Sequence, residues 1–250
     1  MQIKDSAVIV TGGASGLGAA VARAFRAKGA KVMLFDRDSA KGAALAAEIG
    51  AGFAMVDVTQ EASVAAGIAA AKAAMGRISV LVNCAGIATG ARIVGREGPH
   101  DLALFQRTID INLVGSFNCM RLAAAEMAQN SPEDGERGVV INTASIAAFD
   151  GQKGQAAYAA SKAGIAGMTL PAARDLAGIG VRVCAIAPGV FLTPMLEGLG
   201  AEIQAGLAAD VTFPKRLGRP EEFATLAAFI VESGYLNGEV IRLDGALRMR

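Results

Sequence analysis

A chain of 250 residues can bury one large core, so a single domain over 1–250 is expected. With 24 basic and 23 acidic side chains the formal charge is +1, which provides no field to gather nucleic acid or an anionic membrane surface, and neither partner is expected. Only 19% of residues are charged and 31 are glycine, a balance that points to extensive burial, close backbone approaches and surface hidden in a homo-oligomer.

The first apolar run, AVIVT at 7–11, is short and β-branched, as a strand buried on both faces requires. It leads into TGGASGLG at 11–18 and then a helical stretch, 17–28. In that loop Gly12 permits the sharp turn, Gly16 lets the backbone approach a pyrophosphate, and Gly18 allows close helix packing, while the helix start offers free N–H groups to negative charge. The GxxxGxG spacing differs from the usual GxGxxG, so taken alone it also fits an ordinary glycine-rich turn. A second strand, 31–35, ends at Asp36, where a carboxylate can accept from ribose hydroxyls and would repel a 2′-phosphate. The alternatives are that Asp36 caps the helix beginning near Ser39, and that Arg37 admits NADP; NAD is the favoured cofactor.

Helix 39–49, a weaker strand 52–56 and helix 61–75 follow, with Asp57 and Val58 placed after the third strand to meet an adenine amine and ring. Strand 80–83 precedes an irregular stretch, 86–100, and a long helix, 101–129. Strand 138–143, helix 156–176, strand 181–187, a second irregular stretch at 188–213, helix 221–230 and strand 239–243 complete the chain. This alternation predicts an α/β fold, a Rossmann-type doubly wound parallel sheet of about seven strands with helices on both faces. Ligands then bind beyond the carboxyl ends of the strands, and 188–213 is positioned as a substrate loop or lid.

Tyr158 and Lys162 share one face of helix 156–176. A tyrosine is a poor base at neutral pH unless positive charge stabilises its phenolate, and Lys162 with an oxidised nicotinamide would supply that charge. Ser145, just after strand 138–143, can hydrogen-bond the substrate oxygen as charge develops there. The combination predicts interconversion of an alcohol and a ketone by an NAD-dependent oxidoreductase. His100 is the single histidine and no cluster has metal-ligand spacing, so no metal is expected. Cys84, Cys119 and Cys184 form a poor disulfide framework and point to a reducing, cytoplasmic setting. The N-terminal segment reads as a strand rather than a leader.

TGGASGLG, NCAG at 83–86, Asn112, Ser145, the Tyr158 and Lys162 pair, and PGVFLT at 188–193 together resemble the short-chain dehydrogenase/reductase family over the whole chain. The resemblance implies a catalytic set of Asn112, Ser145, Tyr158 and Lys162, with Asn112 holding a relay water near Lys162. It implies a cofactor site of Gly12, Ser15, Gly16, Leu17, Gly18, Asp36, Asp57, Val58, Asn83, Cys84, Ala85, Gly86, Tyr158, Lys162, Pro188, Phe191 and Thr193. Where the family commonly has a second asparagine this chain has Cys84. NCAGIA, the block 137–177 and LNGEVIRLDGALRM resemble in particular the type-2 3-hydroxyacyl-CoA dehydrogenases, which implies a homotetramer acting on acyl-CoA, with Gln152 and Gln155 joining Ser145 and Tyr158 at the substrate. Arg92 and Arg96, in the 86–100 stretch, are then candidates for substrate phosphates, although exposed loop arginines are more often only solvated. A 3-oxoacyl carrier-protein reductase, a hydroxysteroid dehydrogenase and an idle NAD-binding scaffold are the competing readings. Asp36 argues against the reductase and the intact catalytic set against the scaffold.

Overall fold

Alternate residues of each central strand enter opposite apolar layers, a pattern that only a sheet covered on both faces satisfies. Val8, Val10, Val32, Leu34, Val80 and Val82 face one layer, while Ile9, Met33, Phe35, Leu81 and Val140 face the other. The computed structural model describes residues 1–197 and 200–249.

The first half runs β1 (Ala7–Thr11), α1 (Gly16–Ala27), β2 (Lys31–Asp36), α2 (Ser39–Ile49), β3 (Gly52–Met55), α3 (Glu61–Met75) and β4 (Val80–Asn83). A small antiparallel pair follows, β5 (Val94–Gly95) and β6 (Gly98–Pro99). Then come α4 (Leu102–Ile109), a π-helical turn (Asp110–Val114), α5 (Gly115–Met127), β7 (Gly138–Thr143), α6 (Ala156–Ala177) and β8 (Val181–Pro188). The chain closes with α7 (Pro194–Glu197), α8 (Ala201–Ala209), α9 (Pro220–Glu232) and β9 (Val240–Leu243).

Seven strands pair in parallel in the order β3-β2-β1-β4-β7-β8-β9, a Rossmann-like α/β sheet. Helices α1, α2 and α9 bury Phe25, Leu45 and Phe223 on one face; α3, α5 and α6 bury Ile68, Met127 and Ala172 on the other. The chain leaves β1 towards β2 and β3, then crosses back to β4, so a crevice opens between the carboxyl ends of β1 and β4.

Three expectations change. The helix predicted over 101–129 is interrupted by the π-helical turn at Asp110–Val114, because hydrogen-bond register inside a helix leaves little trace in its apolar spacing. The 188–213 stretch carries two helices, α7 and α8, rather than being irregular throughout; its residues 198 and 199 lie outside the described residues. The cap of α2 is Asp38, whose carboxylate accepts from the Lys41 N–H at 3.0 Å, so Asp36 is released from that role. Among the described residues no helix is long and apolar enough to cross a membrane, and no group of metal-ligating side chains is assembled.

Candidate active site

A buried polar ladder underlies the crevice. Strand register places Thr11 beside Asn83 and Asn83 beside Asn142. Thr11 Oγ1 donates to Asn83 Oδ1 at 3.3 Å, and Asn83 Nδ2 donates to Asn142 Oδ1 at 2.9 Å and to the Ser116 carbonyl at 3.2 Å. Thr11 Oγ1 also accepts from the N–H groups of Cys84 and Ala85, both at 3.1 Å, which fixes the exit of β4. Asn83 therefore lies beneath the crevice wall, spends its amide inside the protein, and is absent from the cavity lining, contrary to its placement among cofactor contacts.

Above this ladder is a cavity of about 760 Å³. One end is lined by Gly12, Ser15, Gly16, Leu17 and Gly18. Gly12 has φ +61°, and a Cβ there would lie 2.8 Å from the Ala85 nitrogen; a Cβ on Gly18 would lie 2.2 Å from the Gly12 carbonyl oxygen. Ser15 caps α1 without a side-chain hydrogen bond and the first turn has no acidic residue, so the helix N-terminus is left to face an anion. Backbone donors, side-chain clearance and a positive helix end fit a dinucleotide pyrophosphate.

Asp36 accepts from the Ala14 N–H with Oδ2 and from the Asp38 N–H with Oδ1, both at 3.0 Å. It thus holds the glycine loop to the end of β2, lines the cavity, and keeps lone pairs beyond these two bonds. Asp57 is held by the Thr59 N–H and hydroxyl at 3.0 and 2.7 Å, and these bonds outdo burial to lower its pKa. Arg37 Nε sits 3.6 Å from Asp57 Oδ2, so the cation proposed for a 2′-phosphate already has a carboxylate beside it. Val58 lines the cavity and is braced by α5, where a Cβ on Gly115 would fall 2.6 Å from Val58 Cγ2.

The reactive cluster occupies the middle of the cavity. Ser145 Oγ accepts from the Ala147 N–H at 3.1 Å, which leaves its proton to donate, and its bond with the Tyr158 hydroxyl favours the phenolate. Burial is nevertheless the larger influence and raises the Tyr158 pKa. Lys162 Nζ lies 5.8 Å from the centre of the Tyr158 ring and donates to the Thr143 carbonyl at 2.7 Å. Burial lowers its own pKa from 10.5 to about 8. In the chain alone the influence that lowers the Tyr158 pKa comes from Ser145 rather than from the expected Lys162 charge, and desolvation outweighs it. Cys84 borders this cluster; Thr143 Oγ1 donates to its sulfur at 3.7 Å, and burial pushes the thiol up to about 11.

Asn112 is fully buried in the π-helical turn and does not line the cavity. Its Oδ1 accepts from the Ile87 N–H at 2.8 Å, and its Nδ2 donates to the Ile87 carbonyl at 2.9 Å and to Ser161 Oγ at 3.0 Å. Its own carbonyl accepts from Ser116 Oγ at 2.8 Å. An amide matched to both edges of one peptide pins the loop after β4. Gly86 on that loop lies close to this amide and to Lys162: a Cβ there would lie 3.1 Å from Asn112 Oδ1, a tight contact, and 3.7 Å from Lys162 Nζ.

Ala85, Gly86, Pro188, Phe191 and Thr193 line the same cavity, as do Gln152 and Gln155. The two glutamines also border an adjoining groove of about 490 Å³, where Arg92 and Lys153 stand; Arg96 is exposed on the β5–β6 turn outside it. Gln155 Oε1 accepts from the Gln152 N–H at 3.0 Å. Sequence reasoning missed Thr143, whose carbonyl anchors Lys162, and the lining residues Arg107, Leu196, Leu207 and Met249. A backbone carbonyl, a lone arginine and scattered apolar residues have no signature in the sequence.

Residues 6–204 match the short chain dehydrogenase family. The chain is 53% identical to the 3-hydroxyacyl-CoA dehydrogenase type-2 of Drosophila melanogaster, over 99% of each chain. It superposes on the crystal structure of 3-hydroxyacyl-CoA dehydrogenase type-2 from Mycobacterium avium with a TM-score of 0.95 and 49% identity, covering 98% of this chain and 97% of that one. A 7α-hydroxysteroid dehydrogenase complexed with NADH and 7-oxo glycochenodeoxycholic acid is similar at TM-score 0.90 and 26% identity, covering 100% of this chain and 96% of that one. By its fold, its crevice and this similarity along its length, the chain belongs to the short-chain dehydrogenase family.

Proposed function

We propose that this chain is an NAD-dependent 3-hydroxyacyl-CoA dehydrogenase, interconverting 3-hydroxyacyl-CoA and 3-oxoacyl-CoA. The observation that carries the reading is one cavity in which a phosphate cradle with Asp36 beside it opens onto the hydroxyls of Ser145 and Tyr158. The type-2 3-hydroxyacyl-CoA dehydrogenases to which the chain is similar supply the substrate class. The adjoining groove supports it, because Arg92 and Lys153 stand there with no carboxylate partner among the described residues and suit an anionic carrier.

When bound, oxidised NAD supplies the hydride acceptor and a positive ring. With substrate bound, Ser145 turns its proton from the Tyr158 oxygen to the substrate oxygen and steadies the charge that develops there. Tyr158, as phenolate, takes the hydroxyl proton of the alcohol, and in the reductive direction its phenol returns it. Lys162, held by the Thr143 carbonyl, presents its ammonium to the phenol and to the nicotinamide ribose. Asn112 acts as a positioning residue by fixing Ile87 and the loop around Gly86. Gln152 and Gln155 contact the acyl portion, with Leu196 and Leu207 lining the same cavity. Asp36 favours NAD over NADP by repelling a 2′-phosphate.

Exposed apolar side chains Val114, Phe117, Phe229 and Tyr235 support assembly as a homotetramer. Three free cysteines, two of them buried, support a reducing cytoplasmic setting. The test is reduction of acetoacetyl-CoA with NADH and with NADPH. Turnover with a clear NADH preference is expected; NADPH preference would favour a carrier-protein reductase, and absent turnover with intact NADH binding would favour another substrate.

A further inference from the structure

We propose that the segment after β9 forms part of the substrate pocket and that Met249 is a specificity-determining residue within it. The sheet order places the nucleotide end of the cavity over β3, β2 and β1, the reactive hydroxyls at the end of β7, and β9 at the opposite edge. Met249, a few residues beyond β9, is among the residues that line the cavity, and the sheet order puts β9 at the edge away from the phosphate cradle. Leu196 and Leu207, from α7 and α8, line the same cavity and add apolar surface to it.

The segment is held in place from three directions. Arg242 on β9 donates to Asp150 Oδ2 at 2.6 Å, to Asp244 Oδ2 at 2.7 Å and to the Leu247 carbonyl at 3.1 Å. Asp150 lies between Ser145 and Tyr158 in the chain, so the same guanidinium ties the catalytic loop to the segment bearing Met249. Gly245 and Ala246 take left-handed conformations, φ +58° and +62°, which turn the chain back, and Asp244 Oδ1 accepts from the Ala246 N–H at 2.9 Å. Leu247 is buried as the anchor. From the other side Thr212 Oγ1 donates to the Ala246 carbonyl at 3.1 Å and the Phe213 N–H to the Gly245 carbonyl, also at 3.1 Å, joining the end of the α8 region to this turn. Fixed backbone with an unbranched, adaptable thioether at the wall lets the pocket receive acyl groups of differing length.

This inference rests on the acyl-CoA reading, and the experiment separates the two. The ratio of kcat/KM for 3-oxodecanoyl-CoA to that for acetoacetyl-CoA is measured for the wild type, Met249→Ala and Met249→Phe. Opening the wall raises the ratio about five- to tenfold and filling it lowers the ratio by a similar factor, while NADH affinity is retained. A ratio unchanged in both variants of an enzyme active on acyl-CoA overturns the role of Met249. If the wild type reduces neither thioester, the substrate reading fails, and the same ratio is taken on long and short aliphatic secondary alcohols; a shift there sustains Met249 and no shift overturns it.

Discussion

The Lys162 ammonium donates to the Thr143 carbonyl at 2.7 Å, joining the second turn of α6 to the last residue of β7. That bond fixes the amine one helical turn from Tyr158 and beneath Gly86, in a place where burial lowers its pKa to about 8. Below about pH 8 both the folded and unfolded chains hold this proton, and the folded chain bears the cost of a buried charge. Between about 8 and 10.5 only the unfolded chain holds it, so the contribution of this group to stability rises with pH across that window.

Lys162→Met is accordingly expected to change stability differently at about pH 7 and about pH 10, by about 3 kcal/mol at most. Loss of the bond to Thr143 subtracts at both pH values, whereas relief of the buried charge operates only at the lower one. Thermal melts of both proteins at the two pH values give the comparison, and equal variant-minus-wild-type differences would contradict a depressed Lys162.

Tyr158→Phe removes the hydroxyl that Ser145 contacts and leaves the ring in place. Turnover should fall by about 10²- to 10⁴-fold, the range for loss of a general acid or base, with NADH binding retained in a fluorescence titration. Because burial raises the Tyr158 pKa, the oxidative reaction should accelerate as pH rises through that pKa while the reductive reaction does not. Activity retained by the phenylalanine variant would remove Tyr158 from the proton transfer.

Asp36→Ala deletes the carboxylate that accepts from Ala14 and Asp38 and faces the cavity. Charged hydrogen bonds of about 1.5–3 kcal/mol correspond to about a ten- to hundredfold loss in kcat/KM for NAD, and discrimination against NADP should narrow. Steady-state kinetics with both cofactors would show an unchanged NAD to NADP ratio if Asp36 were only a brace for the loop.

Gly18→Ala introduces a Cβ 2.2 Å from the Gly12 carbonyl oxygen, against the backbone of Gly12 and Gly13. The turn must shift, at about 1–3 kcal/mol, and NADH affinity should drop by more than tenfold. A melt with and without NADH would expose a tolerated substitution as an unchanged ligand-induced stabilisation.

Cys84, with its thiol pushed up to about 11, should alkylate at neutral pH about a hundredfold more slowly than an ordinary thiol. Mass spectrometry of iodoacetamide adducts, before and after denaturation, reads this directly; rapid labelling of the folded chain would require a thiolate that the surroundings do not favour.

Much of this molecule was legible from local pattern. β-Branched runs separated by alanine-rich helical segments specified the seven strands, because a strand covered on both faces must be apolar at consecutive positions. The glycine loop, Asp36, Ser145 and the pair on α6 were readable because their roles depend on spacing within one turn, strand end or helix face. Asn83 and Asn112 show where such reading stops. Both belong to motifs at the crevice, yet their amides are consumed by Asn142, Ser116, Ile87 and Ser161, residues brought to them by strand register and by a π-helical turn.

The sequence by itself determined the layered architecture and the chemical groups at the ends of the strands, since these follow from side-chain periodicity and short spacings. Which groups face the cavity was decided only by the tertiary structure: Lys162 meeting the Thr143 carbonyl, Arg242 gathering Asp150 and Asp244, and Met249 reaching the pocket from the far sheet edge. Those contacts join residues distant in the chain. Their geometry depends on how packed elements cross, a property that no local pattern of residues encodes.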